Sequence, residues 1–142
     1  EIAAAILTLM EKQKIVSEGA GAVSVAAVLY HKVPVKGKKV VCIISGGNID
    51  VNILSRVINR GLMKTGRKAS LCISLLDKPG QLEEVSRIIA ELGANVTKVD
   101  HNMNVEDADI NGCNLTLQIE TRDFHHIEEI KKRFREEGFS LV

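Results

Sequence analysis

The second half of the chain contains both alternating and helical patterns of hydrophobic residues. Alternation at Leu71, Ile73 and Leu75 predicts a strand, because successive side chains of a strand point to opposite faces. The predicted elements, in order, are a strand at 71–76, a helix at 82–92, a strand at 95–103, a strand at 114–120, a helix at 124–134 and a strand at 139–142. This βαββαβ order is the ferredoxin-like arrangement, in which two helices cover one face of a four-stranded antiparallel sheet. We therefore expect an α+β fold for this part of the chain.

Turn and capping residues mark the ends of the two predicted helices. Pro79 suits the first turn of the first helix, and Gly93 ends that helix. Asp123 is a candidate cap for the second helix, which ends at Gly138. Between the second and third strands, residues 105–112 are acidic and rich in turn formers.

The first half of the chain has continuous hydrophobic runs instead of alternation. The predicted elements are a helix at Ile2–Lys14, a short strand at Ile15–Ser17, a helix at Gly19–His31, a strand at Val40–Ile44 and a helix at Ile49–Arg60. The run Val40–Ile44 is typical of a parallel strand that is buried on both faces. The two strands predicted in this half of the chain are too few for a sheet whose faces are both buried. We therefore expect residues 1–62 to be the end of a larger α/β domain. The alternative is that a second copy of the chain covers the strand faces.

A polar segment separates the two halves. Residues 63–69 contain Gly66, and the charge balance changes there from an excess of basic residues to an excess of acidic ones. We predict a linker at 63–69 between a first unit, residues 1–62, and a second unit, residues 70–142.

The composition argues against two classes of partner. The formal net charge is +1 and aromatic residues make up 3% of the chain. The chain therefore has little excess positive charge to neutralise phosphates and few aromatic rings on which bases could stack. We therefore expect no nucleic-acid partner. The longest hydrophobic stretch, Ile2–Met10, is far shorter than the ~20 residues that span a bilayer, so we expect no membrane association either.

The cysteines and histidines show no metal-ligand pattern. Three cysteines without a C-x-x-C pair favour buried free thiols in a reducing cytoplasm. His125 and His126 stand at the start of a predicted helix, where we expect both to be exposed, and His101 lies on the second predicted strand of the second unit. None of the four histidines has metal-ligand spacing with a cysteine or a carboxylate pair, so we predict no metal site.

The segment Asp77–Leu82 joins the first strand of the second unit to its helix. Gly80 lets a ligand approach the backbone closely, and the free N–H groups of a first helical turn attract a carboxylate. Asp77 and the side-chain oxygen of Asn95 could accept hydrogen bonds from an ammonium group. The pattern is consistent with an amino-acid site, and the alternative is an ordinary strand-to-helix turn.

Residues 69–142 resemble the ACT domain, a regulatory module that most often binds amino acids. The resemblance rests on D-K-P-G-Q-L followed by L-G-A-N-V on the βαββαβ frame. In that family the ligand lies where two ACT domains meet, which implies a homo-oligomer formed through these domains. The residues that the resemblance assigns to effector binding are Asp77, Lys78, Pro79, Gly80, Gln81, Leu82 and Asn95.

Three segments of the chain extend this resemblance: Ser17–Ala22, Ser45–Asp50 and Arg60–Arg67. In this order, and followed by an ACT domain, they look like the C-terminal third of a threonine ammonia-lyase, a pyridoxal-phosphate enzyme of the tryptophan-synthase-β-like fold. The residues that the resemblance places beside the cofactor of an intact parent are Ser45, Gly46, Gly47, Asn48 and Glu18. Ser45 matches the serine that faces the pyridine nitrogen. A neutral hydroxyl does not hold that nitrogen protonated, which favours β-elimination over transamination.

The resemblance implies a parent enzyme that converts threonine to 2-oxobutanoate and ammonia in isoleucine biosynthesis. Its ACT domain would bind an amino-acid effector, with isoleucine or valine expected from the pathway. The Schiff-base lysine and the phosphate loop of that family have no counterpart in this chain. We therefore expect no catalytic residue, no bound pyridoxal phosphate and no activity in the chain alone.

Two alternatives come from other functional classes. One is a stand-alone amino-acid-sensing module with no catalytic role. The other, a ferredoxin-like RNA-binding domain, would need aromatic residues on its strands, and this sequence lacks them.

Overall fold

A computed structural model of the chain describes residues 1–103 and 111–142. The described part forms two compact units, Glu1–Gly61 and Leu62–Val142. Most of the acidic turn segment predicted at 105–112 lies outside the described residues.

The elements of the second unit are β1 (Lys68–Leu76), α4 (Gln81–Glu91), β2 (Asn95–Asn102), β3 (Gly112–Glu120), α5 (Phe124–Glu136) and β4 (Ser140–Leu141). The four strands form an antiparallel sheet in the order β2-β3-β1-β4. The predicted βαββαβ order and the α+β, ferredoxin-like fold are therefore confirmed.

Alternation on the strands builds the core of this unit, because one face of the sheet is buried and the other is not. On β3 every second side chain from Cys113 to Ile119 is buried. These side chains meet the hydrophobic positions of both helices, including Val85, Ile88 and Phe134, which are all 0% exposed. Burying such side chains contributes about 1.5–3 kcal/mol each, which is the main stabilising term for the sheet and helices.

The start of α5 differs from the prediction at one of its two histidines. His125 is exposed, as expected, but His126 is 1% exposed. The backbone amide of Arg122 donates to His126 Nδ1 at 3.1 Å, and His126 Nε2–H donates to the Leu92 carbonyl oxygen at 2.9 Å. The prediction of an exposed His126 is wrong because its ring is buried, and two partly buried hydrogen bonds satisfy both ring nitrogens. Asp123 caps the helix as predicted, since its Oδ1 accepts from the His126 amide at 2.9 Å.

The first unit consists of three helical stretches connected by loops. They are α1 (Ile2–Thr8), which continues as a π-helical segment at Leu9–Gln13, α2 (Val23–Leu29) and the beginning of α3 (Val51–Lys64). Its core is small and consists mainly of Ala5, Ile6, Leu9, Ala22 and Ala26. The predicted helix at Gly19–His31 is shorter than expected because residues 19–22 form turns and His31 has a positive φ of 54°.

The two strands predicted in the first unit, Ile15–Ser17 and Val40–Ile44, are wrong. Both segments lack regular secondary structure, and Val41 is 90% exposed. The described bonds near them are isolated ones, such as the Glu18 amide donating to the Gly46 carbonyl oxygen at 3.0 Å. A strand needs a ladder of such bonds to a neighbour, and residues 1–61 supply no strand to pair with.

Residues 63–69, predicted as a linker, comprise the last two residues of α3, a short turn and the first two residues of β1. Gly66 in that turn has a φ of +68°. The Thr121 hydroxyl donates to the Gly66 carbonyl oxygen at 2.6 Å, which ties the turn to the end of β3.

Candidate functional site

The loop after β1 has the backbone conformation that the glycine pattern predicts. Gly80 is the N-cap of α4 with a φ of +92°, a left-handed conformation that side chains with a Cβ rarely adopt. Helix α4 begins at Gln81, so Pro79 precedes the cap. The prediction that Pro79 lies in the first helical turn is therefore wrong. The Gln81 amide donates to the Lys78 carbonyl oxygen at 3.5 Å. The next N–H groups, those of Leu82 and Glu83, have no partner within the helix and can bind a ligand or water.

A cavity of about 380 Å³ lies beside this loop. Asp77 to Leu82 form one side of it, and Leu75, Val99, His101 and Leu115 from three adjacent strands form the other. Its walls therefore combine aliphatic side chains, a carboxylate, an imidazole and a helix N-terminus. A cavity of this size with a few polar groups is typical of a small-molecule site.

A second and more open hollow of about 520 Å³ lies on the other side of β1, between α4 and the end of α5. It shares Leu75, Lys78 and Gln81 with the first cavity. Its other lining residues include the charged Glu84 and Glu137 as well as the hydrophobic Leu76 and Phe139. The first cavity is the better candidate for a ligand with an aliphatic side chain, because three strands give it an apolar wall.

Three side chains that can carry or accept charge lie close together here: Asp77 and His101 line the first cavity, and the buried Cys113 lies beside them. His101 Nε2 lies 3.7 Å from Asp77 Oδ1, and the Cys113 thiol lies within 4.8 Å of both. Burial raises the pKa of the Cys113 thiol, and the negative charge of Asp77 raises it further. The thiol is therefore in its neutral form around pH 7.

Asn95 does not lie close to the Asp77–Leu82 loop of its own chain. It pairs with Glu120 at one end of β3, whereas Leu76, which leads into the loop, pairs with Gly112 at the other end. Eight residue steps along a strand separate these ends by roughly 27 Å. The Asn95 side-chain amide instead donates to Glu120 Oε2 at 3.1 Å.

The two segments assigned to a cofactor wall lie together in the first unit. The Ser17 hydroxyl is buried and lies 3.2 Å from the Gly46 carbonyl oxygen, to which it donates. A Cβ built on Gly46 would lie 2.7 Å from Glu18 Oε1, and one on Gly47 would lie 2.9 Å from the Val16 carbonyl oxygen. Close approach of the Val16 backbone therefore requires a glycine at Gly47, whereas the flexible end of the Glu18 side chain could move away from a side chain at Gly46. Ser45 and Asn48 are exposed.

These residues fit only one part of a pyridoxal-phosphate site. Ser45 offers an accessible hydroxyl close to Gly47, where the Val16 backbone leaves no room for a side chain. When bound, the cofactor supplies an electron sink for carbanion chemistry. Such an enzyme also needs a lysine for the Schiff base, and no lysine of residues 1–62 lies in the corresponding sequence context.

The sheet order, the two helices and the glycine loop define a small α+β domain of the ferredoxin-like type. No family model matches the chain. Sequence comparison with characterised proteins finds an L-threonine ammonia-lyase of Thermotoga maritima that is 51% identical over 99% of this chain. A Geobacter sulfurreducens protein of the same name is 40% identical over 98% of the chain, and the biosynthetic L-threonine dehydratase IlvA of Staphylococcus aureus is 31% identical over 93%.

The chain spans only about a third of these relatives, between 31% and 35% of their length. The similarity nevertheless covers both units of the chain. The predicted relationship to the C-terminal part of threonine ammonia-lyases is therefore confirmed. Among the described residues, no helix is long and apolar enough to cross a membrane.

Proposed function

We propose that this chain is the regulatory portion of a pyridoxal-phosphate-dependent threonine ammonia-lyase and that its second unit binds an amino-acid effector. The observation that supports this most is the 380 Å³ cavity at the N-terminus of α4. An amino acid needs a site for a carboxylate, a site for an ammonium group and a surface for its side chain. The cavity offers all three.

Each part of the effector has a partner in the cavity. The effector carboxylate lies at the first turn of α4, where N–H groups and the helix dipole stabilise negative charge. The ammonium group faces Asp77, whose side chain is about half exposed. The aliphatic side chain packs on Leu75, Val99 and Leu115, which favours the branched chain of isoleucine or valine over a polar one.

The assigned residue Asn95 enters the site only if a second copy of the chain supplies it. Strand β2 is at the edge of the sheet, so its outer N–H and C=O groups can pair with another strand. Antiparallel pairing of β2 with β2 of a second copy would bring the partner's residue 95 to the His101 end of β2. We therefore propose a two-fold dimer through β2, with each effector site built from both copies.

Calorimetric titration of isoleucine, valine, threonine and serine into the 142-residue chain tests the site. Asp77→Asn and Asn95→Ala should each weaken effector binding by roughly 1–3 kcal/mol, or about 5- to 150-fold, because a charged or polar contact is lost. Asp100→Asn on β2 is the matched control, since Asp100 is exposed and does not line the cavity. Equal affinity in all three variants, or no binding by the unaltered chain, would refute the effector site.

A mixing experiment tests whether two copies share each site. Asp77→Asn and Asn95→Ala chains are mixed under conditions that allow subunits to exchange. Random pairing then gives mixed dimers in which one of two sites is intact, so about one quarter of all sites should regain full affinity. If each site lay within one chain, mixing would restore none of them.

The parent activity has its own test. We predict that the chain alone retains no cofactor absorbance after extensive dialysis with pyridoxal phosphate and forms no 2-oxobutanoate from threonine, since it has no Schiff-base lysine in the expected context. A retained absorbance band with product formation would refute this. A genomic reading frame that does not continue upstream of Glu1 would favour the stand-alone sensing module.

A further inference from the structure

We propose that Asp77, His101 and Cys113 form a binding site for a divalent transition-metal ion of the zinc class beside the cavity that Asp77 and His101 line. The three donor atoms are a carboxylate oxygen, an imidazole nitrogen and a thiol sulfur. They all lie within 4.8 Å of one another. This inference does not depend on the binding of an amino acid.

The distances suit a tetrahedral ion with little rearrangement. Bonds of about 2.0 Å to nitrogen or oxygen and about 2.3 Å to sulfur separate the tetrahedral ligand atoms of such a site by roughly 3.3–3.5 Å. His101 Nε2 and Asp77 Oδ1 are 3.7 Å apart and need to approach each other by only about 0.4 Å. The sulfur needs to move by no more than about 1–1.5 Å relative to the other two atoms, which side-chain rotation and small backbone shifts can supply.

The sheet holds the three ligands in place before any ion binds. Cys113 on β3 pairs with Leu75 on β1, and His101 on β2 pairs with Leu115 on β3. Since Cys113 and Leu115 are two positions apart on β3, the Cys113 and His101 side chains share one face of the sheet. The Asp77 backbone amide donates to the Asn111 carbonyl oxygen at 2.7 Å, which fixes the start of the loop beside β3.

The chemistry of the three donors selects the class of ion. When the ion binds, the Cys113 thiol releases its proton to solvent and coordinates as a thiolate. A thiolate and an imidazole favour zinc and similar borderline-soft cations over calcium or magnesium, which prefer oxygen ligands. Three protein ligands leave a fourth tetrahedral position. Because Asp77 and His101 are both about half exposed and line the cavity, that position opens towards it and can hold water.

The test uses the 142-residue chain, reduced, free of affinity tag and stripped of metal with a chelator. Zinc is titrated by competition with a chromophoric chelator, and cobalt(II) is titrated by absorption spectroscopy, in the absence of amino acids. We expect one ion per chain and a sulfur-to-cobalt charge-transfer band, since a thiolate ligand gives such a band.

Two variants remove ligands, and two matched variants remove the same residue types elsewhere. His101→Gln and Cys113→Ser should each weaken zinc binding at least tenfold, because loss of even an outer partner of a metal ligand costs 10- to 100-fold. Cys113→Ser should also abolish the charge-transfer band. His125→Gln and Cys72→Ser should change the affinity less than twofold, because His125 is exposed at the start of α5 and Cys72 points to the opposite face of the sheet.

The test of the metal site does not depend on Cys113→Ser alone, which changes a buried residue. If circular dichroism shows that Cys113→Ser disturbs folding, His101→Gln decides, since the His101 side chain is 43% exposed. Zinc affinity that is unchanged in His101→Gln, or absence of the cobalt–sulfur band in the unaltered chain, overturns the proposal. Because no amino acid is present, these results neither support nor refute the effector site.

Discussion

Replacing His126 by alanine should destabilise the second unit although the residue stands in the first turn of a surface helix. Its imidazole connects two segments: Nδ1 accepts from the Arg122 amide and Nε2–H donates to the Leu92 carbonyl oxygen at the end of α4. The neighbouring His125 lacks such a role, because its side chain is 82% exposed and reaches only Glu129 at 3.6 Å. The two adjacent histidines therefore form a matched pair.

The expected size of the effect follows from the two bonds. An amide or carbonyl group left without a partner on burial costs about 1–3 kcal/mol, although water can partly replace the bond at Arg122, which is exposed. Loss of the buried ring adds to this. We expect His126→Ala to lower the free energy of unfolding by about 2–4 kcal/mol, and His125→Ala by no more than about 0.5 kcal/mol.

Amide hydrogen exchange measures this for the second unit separately from the first. A loss of 2–4 kcal/mol should speed exchange of the most protected amides of β1 and β3 by about 30- to 1,000-fold. His126→Asn can keep the acceptor for Arg122 and His126→Gln can keep the donor for Leu92, so each should recover part of the loss. Exchange in His126→Ala that matches His125→Ala would refute the argument that the two bonds stabilise the unit.

Three further outcomes follow from burial and capping. Phe134→Ala should lower the free energy of unfolding, measured with urea, by about 3–5 kcal/mol, because the ring is 0% exposed and packs edge-on against Phe139 with ring centroids 5.7 Å apart. Phe124→Ala, at a 59% exposed position, should lower it by about 1 kcal/mol or less. In metal-free protein, Cys113 should react with iodoacetamide much more slowly than Cys72 by mass spectrometry, because it is buried and its raised pKa keeps it a neutral thiol; equal rates would contradict this. Asp123→Ala should lower stability by about 0.5–2 kcal/mol through loss of the cap, and an unchanged melting temperature would contradict it.

The sequence predicted the second unit well because its information is local. Each strand alternates along its own residues, each helix has its own hydrophobic side, and Asp123 and Gly93 mark helix ends within a few residues. The first unit was predicted less well for the opposite reason. The run Val40–Ile44 has the composition of a strand, but a strand exists only where another strand pairs with it, and the described residues of that unit contain none.

The candidate sites show the same distinction between local and register-dependent information. The Asp77–Leu82 loop was found because its residues are contiguous, and Gly80 has the positive φ that its residue type allows. The grouping of Asp77, His101 and Cys113 was missed, since its members come from three segments and their spacing matches no metal motif. The signal that could have found it is the pairing of β2 and β3, in which His101 is opposite Leu115, two positions from Cys113. The pairing register of two strands decides which residues, distant in the sequence, become neighbours. It can be predicted from one sequence only after the buried face of each strand has been assigned.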